Sequence, residues 1–162
     1  MKRNGREKMA DISGILTKYP RSPEHLLNIL HEIQDEEPRN YLRAEALRAA
    51  AAHVGIPLSR VVSTASFYTM FSLKPRGVHI IRVCESPPCL LAGGERLIAF
   101  LKERLGVEVG ETSEDGLFTL ETTSCLGACA GAPAVMIDKT VYESVTEDRL
   151  DEILAGLRGE DA

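Results

Sequence analysis

The chain contains two cysteine motifs, Cys84-Glu85-Ser86-Pro87-Pro88-Cys89 and Cys125-Leu126-Gly127-Ala128-Cys129, which are separated by 35 residues. These motifs hold all four cysteines of the sequence, one pair with four intervening residues and one pair with three. Sets of four thiolates in proteins bind zinc or an iron–sulfur cluster. The motifs therefore predict a four-thiolate metal site, provided that the fold brings the two pairs together.

The overall composition is ordinary for a globular protein, with 44% hydrophobic and 27% charged residues in a chain of 162. A net charge of −5 gives no electrostatic reason to expect nucleic acid as a partner. The sequence has no apolar run of about 18 residues that would predict a membrane span. The basic residues Lys2, Arg3, Arg6 and Lys8 are not followed by the apolar run of a signal peptide. We therefore expect a cytoplasmic protein, peripheral to a membrane at most through a complex. In that compartment thiols stay reduced, which leaves metal or redox chemistry for the cysteines.

The sequence pattern of residues 1–76 predicts a small helical bundle. The dipeptide Ser22-Pro23 is typical of a helix start, and apolar residues at helical spacing follow from Leu26 to Ile33. A second helix is expected over residues 40–53, with Gly55 as its C-cap. A third is expected to begin at Pro57 and to end before Lys74.

The sequence pattern of residues 77–162 predicts a small α/β domain. The expected elements, in order, are a strand at 78–83, a helix at 93–105, a strand at 117–122, a hairpin formed by 134–137 and 141–145, and a final helix capped by Thr146. The first connection is long enough to cross over the sheet, so the first two strands can lie parallel.

Each cysteine pair directly follows a predicted strand. Loops that leave the same edge of a sheet lie close together, so pairs that are distant in sequence can meet in space. Gly127 and Gly131 allow the second loop to turn tightly and to point its amides inward. Amide N–H groups that donate to sulfur stabilise thiolate charge and tune the potential of a cluster.

The spacing of the cysteines alone leaves three kinds of site open. Structural zinc sites more often use tighter pairs, although their range overlaps this one. The spacing matches neither plant-type nor bacterial two-cluster ferredoxins, and the interleaved histidines of a Rieske centre are absent from the sequence. The C-x-x-C motif of a thioredoxin dithiol is absent as well. Spacing favours an iron–sulfur cluster, with zinc and free redox thiols as alternatives.

A further set of motifs resembles the NuoE-type subunit family of NADH dehydrogenases and NAD-linked hydrogenases. The matching stretches are Val62-Ser63-Thr64-Ala65-Ser66-Phe67-Tyr68-Thr69-Met70-Phe71, Lys74-Pro75-Arg76-Gly77, Val83-Cys84, Pro88-Cys89-Leu90, Cys125-Leu126-Gly127-Ala128-Cys129, Ala132-Pro133 and Val141-Tyr142. The resemblance implies an α/β, thioredoxin-like [2Fe–2S] ferredoxin domain at 77–162, preceded by a small N-terminal helical bundle at 1–76.

The resemblance also implies a set of ligands and partners. Cys84, Cys89, Cys125 and Cys129 match the four cluster ligands of the family, and each pair would hold one iron. The chain would be an electron-transfer subunit of an NADH dehydrogenase or an NAD-linked hydrogenase, including the electron-bifurcating type. It would exchange single electrons with FMN on a larger subunit that also binds NAD(P), beside further iron–sulfur subunits. The resemblance implies that hydride chemistry belongs to that larger subunit. Consistent with this, no G-x-G-x-x-G follows a predicted strand in this sequence. The alternative is a zinc-stabilised interaction module without redox activity.

Two other groups of residues are assigned structural roles. His79 lies five residues before Cys84, but on the predicted strand rather than in the loop, so we do not expect it to be a ligand. Phe67, Tyr68 and Phe71 occur at helical spacing, and we expect them to be buried, either in a core or in packing between the helical bundle and the α/β domain.

Overall fold

The computed structural model describes residues 10–160, so the basic residues Lys2, Arg3, Arg6 and Lys8 lie outside the described part of the chain. The chain divides into two compact units, Met1–Pro75 and Arg76–Ala162. Each unit has its own apolar core.

The first unit is helical. Its elements are α1 (Ile12–Thr17), a 3₁₀ turn (Pro23–His25), α2 (Leu26–Glu36), α3 (Ala44–Val54) and α4 (Leu58–Phe67). The apolar stripe predicted for the second of these helices is buried, and Ile29, Leu30 and Ile33 are fully enclosed. They share a core with Ala46 of α3 and Val61 of α4. Amphipathic spacing and small alanine side chains thus allow these helices to pack closely.

The predicted helix start at residue 40 is wrong by four residues. Asn40 has a φ of +47°, which a right-handed helix does not allow. Leu42 is buried outside the helix, and its N–H donates to the carbonyl of Ser72 at 2.7 Å. The helix therefore begins at Ala44, because a tertiary contact holds the residues before it. Its predicted end is confirmed, since Gly55 adopts the left-handed conformation with φ +73°.

The expectation of burial is correct for only one of the three aromatic residues near the end of α4. Phe71 is buried in the core, and its ring contacts the ring of His31 at a centroid distance of 4.5 Å and a tilt of 43°. Phe67 is 77% exposed and Tyr68 is 44% exposed, so these two are not core residues. Helix α4 ends at Phe67, and the last predicted turns of that helix form a loop instead.

The second unit is a mixed α/β sheet structure. Its elements are β1 (His79–Cys84), α5 (Pro87–Cys89), a π-helical turn (Leu90–Gly94), α6 (Glu95–Leu105), β2 (Phe118–Thr123), a 3₁₀ turn (Cys129–Gly131), β3 (Val135–Ile137), β4 (Thr140–Tyr142) and α7 (Glu147–Glu160). The predicted cap of the final helix is confirmed, because the N–H of Arg149 donates to Thr146 Oγ1 at 3.2 Å.

The four strands form one sheet in the order β2-β1-β3-β4. Strands β1 and β2 are parallel, and α6 lies in the crossover between them. The other two pairings are antiparallel. Alternate strand residues such as Ile81 and Leu120 share a core with Leu101 of α6 and Leu150 of α7, so both helices cover the same face of the sheet.

Within residues 10–160, no helix is both long and apolar enough to cross a membrane.

Candidate metal centre

The two cysteine motifs begin at one edge of the sheet. Cys84 is the last residue of β1, and it pairs with Thr123, the last residue of the parallel strand β2. Cys89 closes the short helix α5, and Cys125 follows β2 after one intervening residue. Because parallel strands end at the same edge, the register brings both loops to one place, as the sequence predicts.

Direct contacts join the two loops. The N–H of Cys84 donates to the carbonyl of Ala134 at 3.1 Å, and the N–H of Glu85 donates to that of Thr123 at 3.0 Å. Cys84, Cys89 and Ala134 form a buried cluster. The partly buried side chains packed against this cluster come from the second motif and its continuation: Leu126, Ala128 and Ala132.

The four cysteines, all within the described residues, are free thiols arranged as two pairs. The sulfurs of Cys125 and Cys129 are 3.4 Å apart, whereas two sulfurs on one tetrahedral metal ion are about 3.8 Å apart. Cys84 and Cys89 lie close enough for each side chain to shift the pKa of the other. Within residues 10–160, no three or more His, Cys, Asp or Glu side chains converge closely enough to hold a single metal ion.

The two pairs differ in their exposure to solvent. Cys84 and Cys89 are each 1% exposed, whereas Cys125 and Cys129 are exposed at the surface. One side of the site is therefore insulated by protein, and the other side faces outward.

The surroundings of each thiol shift its pKa. Burial raises the pKa of Cys84, but hydrogen bonds from the backbone of Ser86 and Leu126, together with the side chains of Cys89 and Ser86, outweigh burial and lower its pKa overall. Burial raises the pKa of Cys89, and the nearby Cys84 adds to the rise. The hydrogen bond with Cys125, and then its charge, raise the pKa of Cys129. The thiols are thus close enough to influence one another's ionisation.

Only one of the two glycines in the second loop points its amide at sulfur. The N–H of Gly127, which has a φ of +82°, lies 3.4 Å from the sulfur of Cys125. The N–H of Gly131 donates instead to the carbonyl of Ala128 at 3.1 Å, so the prediction is wrong for this residue. Gly131 is packed against the side chain of Glu143, which leaves no room for a Cβ.

Sequence reasoning missed the role of Gly94. A Cβ at this position would lie 2.8 Å from the carbonyl oxygen of Cys89, closer than real Cβ contacts allow. The backbone at Gly94 therefore packs directly against the backbone of Cys89, a candidate ligand. The adjacent Gly93-Gly94 pair, which closely follows Cys89 in the sequence, was the available signal.

The structure places His79 away from the thiols. It is the first residue of β1 and Cys84 is the last, which separates them by about 17 Å of extended chain. Its Nδ1 lies 2.8 Å from Asp138 Oδ2, and its ring stacks on Phe118 at 5.7 Å.

A comparison with protein families identifies this arrangement. The model of the thioredoxin-like [2Fe–2S] ferredoxin family matches residues 12–158. The chain belongs to this family. Its cofactor is therefore a [2Fe–2S] cluster, which decides among the alternatives that spacing left open.

Two similar proteins are subunits of larger complexes. The NADP-reducing hydrogenase subunit HndA of Solidesulfovibrio fructosivorans is 34% identical over 145 residues, which cover 90% of this chain and 84% of that protein. A subunit of the NADH-quinone oxidoreductase of Rickettsia conorii is 35% identical over 147 residues, 90% of this chain and 88% of that protein. The chain is thus similar to two oxidoreductase subunits over most of their length and most of its own.

A solved structure shares the fold. The crystal structure of an NAD+-reducing [NiFe]-hydrogenase in the air-oxidized state matches with a TM-score of 0.76 and 24% identity. The match covers 86% of this chain and 24% of the hydrogenase chain. The predicted thioredoxin-like α/β fold is confirmed by the family match.

The thiols suit the cofactor of the family. Four sulfur donors in two neighbouring pairs are the donor set of a [2Fe–2S] cluster, and backbone N–H groups accompany them.

Proposed function

We propose that this chain is an electron-transfer subunit of a multi-subunit NAD(P)-linked oxidoreductase. Cys84, Cys89, Cys125 and Cys129 hold one [2Fe–2S] cluster, each pair binding one iron. The chain exchanges single electrons with a flavin on a larger partner subunit, which also binds NAD(P). The parent complex is an NADH dehydrogenase or an NAD-linked hydrogenase, including the electron-bifurcating type.

The observation that carries this proposal is the unequal exposure of the two thiol pairs. Cys84 and Cys89 are almost completely buried, whereas Cys125 and Cys129 face outward. A buried side insulates a redox centre from water, and an exposed side lets a partner's cofactor approach closely. The geometry suits a protein that passes electrons on rather than one that stores them.

The chain's own residues position and tune the centre. The cluster, when bound, supplies one-electron chemistry without making or breaking substrate bonds. The backbones of Ser86 and Leu126 stabilise negative charge on Cys84, and the N–H of Gly127 is near Cys125. Pro87 and the close approach of Gly94 hold the first loop in shape. Hydride transfer takes place on the partner subunit.

We also propose that the two halves of the chain act as two domains. Residues 77–162 form the cluster domain, and residues 1–76 form a helical bundle that docks the flavoprotein subunit. Phe67, Tyr68 and Met70 are exposed and belong to residue types that are enriched in interface cores.

Purification with and without the partner subunit tests the proposal. The chain expressed alone should be red-brown, be bleached by dithionite and then show a spin-one-half EPR signal. NADH or NADPH should reduce it only when the flavin-containing subunit is present. A colourless protein that binds one zinc ion through the same cysteines would instead establish the interaction module. Reduction by NAD(P)H without any partner would show that the flavin route is wrong.

A further inference from the structure

Two buried arginines share a partly buried glutamate at the two parallel strands that lead to the thiols: Arg82 lies in β1, Glu121 lies in β2, and Arg76 precedes β1. Arg76 and Arg82 have side chains that are only 7% exposed, and Glu121 is 21% exposed. Glu121 accepts from both: its Oε1 lies 3.0 Å from Arg76 Nη1, and its Oε2 lies 2.9 Å from Arg82 Nε. Two buried guanidinium groups thus share one carboxylate.

This group lies on the sheet face that carries Cys84. Ile81 and Val83 of β1 point into the core under α6 and α7, so Arg82 and Cys84 point to the opposite face. In the register, Arg82 pairs with Glu121, and Cys84 pairs with Thr123 two residues later. Arg82 is therefore about 7 Å along the strand from a cluster-ligand candidate.

Stability alone does not account for this burial. Taking charges out of water is costly, and replacing a buried ion pair with apolar residues is often neutral or stabilising. A redox centre nearby gives the charges a role, because interactions between buried charges are screened much less than those between exposed charges.

We propose that Arg82 and Glu121 are positioning residues that set the reduction potential of the centre held by the cysteines. The inference rests on the proposed electron-transfer function. Reduction adds one negative charge beside Cys84. The guanidinium of Arg82 favours the reduced state, and the carboxylate of Glu121 opposes it. A buried charge at this range changes the ratio of reduced to oxidised protein on the order of tenfold.

Neutral variants of each residue test the proposal. Potentiometric titration followed by EPR should give a lower midpoint potential for Arg82→Gln and a higher one for Glu121→Gln. Arg82→Lys, which keeps the charge, should return the potential toward that of the wild type. If Arg82→Gln does not fold, Glu121→Gln carries the test, since its expected shift has the opposite sign.

An exposed residue on the other face of the sheet provides the control. Arg104 on α6 has a side chain that is 46% exposed and pairs with Asp151 in solvent, so Arg104→Gln should leave the potential unchanged. Unchanged potentials in both test variants, or shifts in the same direction, would overturn the proposal. In either case the EPR signal of the wild type would still support the electron-transfer function. A wild-type protein without that signal would instead refute the function itself.

Discussion

Cys84 and Thr123 face each other as the last register pair of the parallel strands β1 and β2. The chain leaves Cys84 toward Cys89 and leaves Thr123 toward Cys125, so both motifs start from one edge. The hydrogen bond from Glu85 N–H to the Thr123 carbonyl extends the pairing one residue beyond the strands. The sheet register therefore holds the two loops together.

Replacing any one of the four cysteines with serine should weaken cluster binding by at least about tenfold, because a hydroxyl is a harder and weaker iron ligand than a thiolate. Iron and acid-labile sulfide per chain, with visible absorbance, measure the loss. His79→Gln should keep full occupancy, since His79 lies at the other end of β1. Full occupancy in Cys125→Ser would show that the proposed ligand set is wrong.

Gly94→Ala should destabilise the protein by about 1–3 kcal/mol, because the new methyl group would be forced against the Cys89 carbonyl. Moving Cys89 should also speed cluster loss to an iron chelator, seen as a faster decay of visible absorbance. Gly156→Ala in α7 is the matched control. It has nothing within 4 Å of its added Cβ, so it should stabilise the helix by about 0.5–1 kcal/mol. Equal effects of the two substitutions would contradict this account.

Local patterns predicted the elements well where local forces decide them. The helical spacing around Ile29 and Ile33 gave a buried stripe, and Gly55 and Gly106 end their helices in the left-handed conformation. The parallel pairing followed from a crossover-length connection, so the meeting of the two cysteine motifs was predictable. The approach of two motifs that are distant in sequence could thus be predicted, because each motif follows a strand of the same parallel pair.

The misses arise from tertiary contacts that periodicity does not encode. Helix α3 starts late because Leu42 bonds to Ser72, which is far away in the sequence. The N–H of Gly131 donates to the carbonyl of Ala128 rather than to a sulfur. The exposure of Phe67 depends on where helix α4 ends, and the pairing of Arg82 with Glu121 depends on strand register.

Gln34→Ala should destabilise the helical unit by about 1–3 kcal/mol. The buried side chain of Gln34 donates to the Met70 carbonyl at 2.9 Å and accepts from the Ser72 N–H at 2.8 Å. Its loss would leave both backbone groups without this partner. Urea unfolding measures the change, and amide hydrogen exchange at Ser72 should become faster. Asn28, which is exposed on the same helix, is the control position, and Asn28→Ala should have a smaller effect. If both substitutions destabilise equally, the bridge from Gln34 is not what holds this loop.

The ion pair at Glu32 should make the helical unit sensitive to acid. The hydrogen bond from Lys18, and then that from Tyr19 at 2.7 Å, lower the pKa of Glu32 below its ordinary value of 4.5. A carboxyl group whose pKa is lower in the folded state stabilises the fold above its unfolded pKa. That stabilisation is lost as the pH falls through the folded pKa.

Glu32→Gln should therefore be less stable than the wild type at neutral pH, and this difference should shrink at about pH 3. Urea unfolding followed by far-ultraviolet circular dichroism at the two pH values measures it. Acid-induced cluster loss affects both proteins alike, because their cysteines are the same. Glu36→Gln is the matched control, since Glu36 lies 4.0 Å from Lys18 but is 44% exposed, so it should change little at either pH. If the wild type and Glu32→Gln lost stability in parallel on acidification, the contacts of Glu32 with Lys18 and Tyr19 would not contribute through its charge.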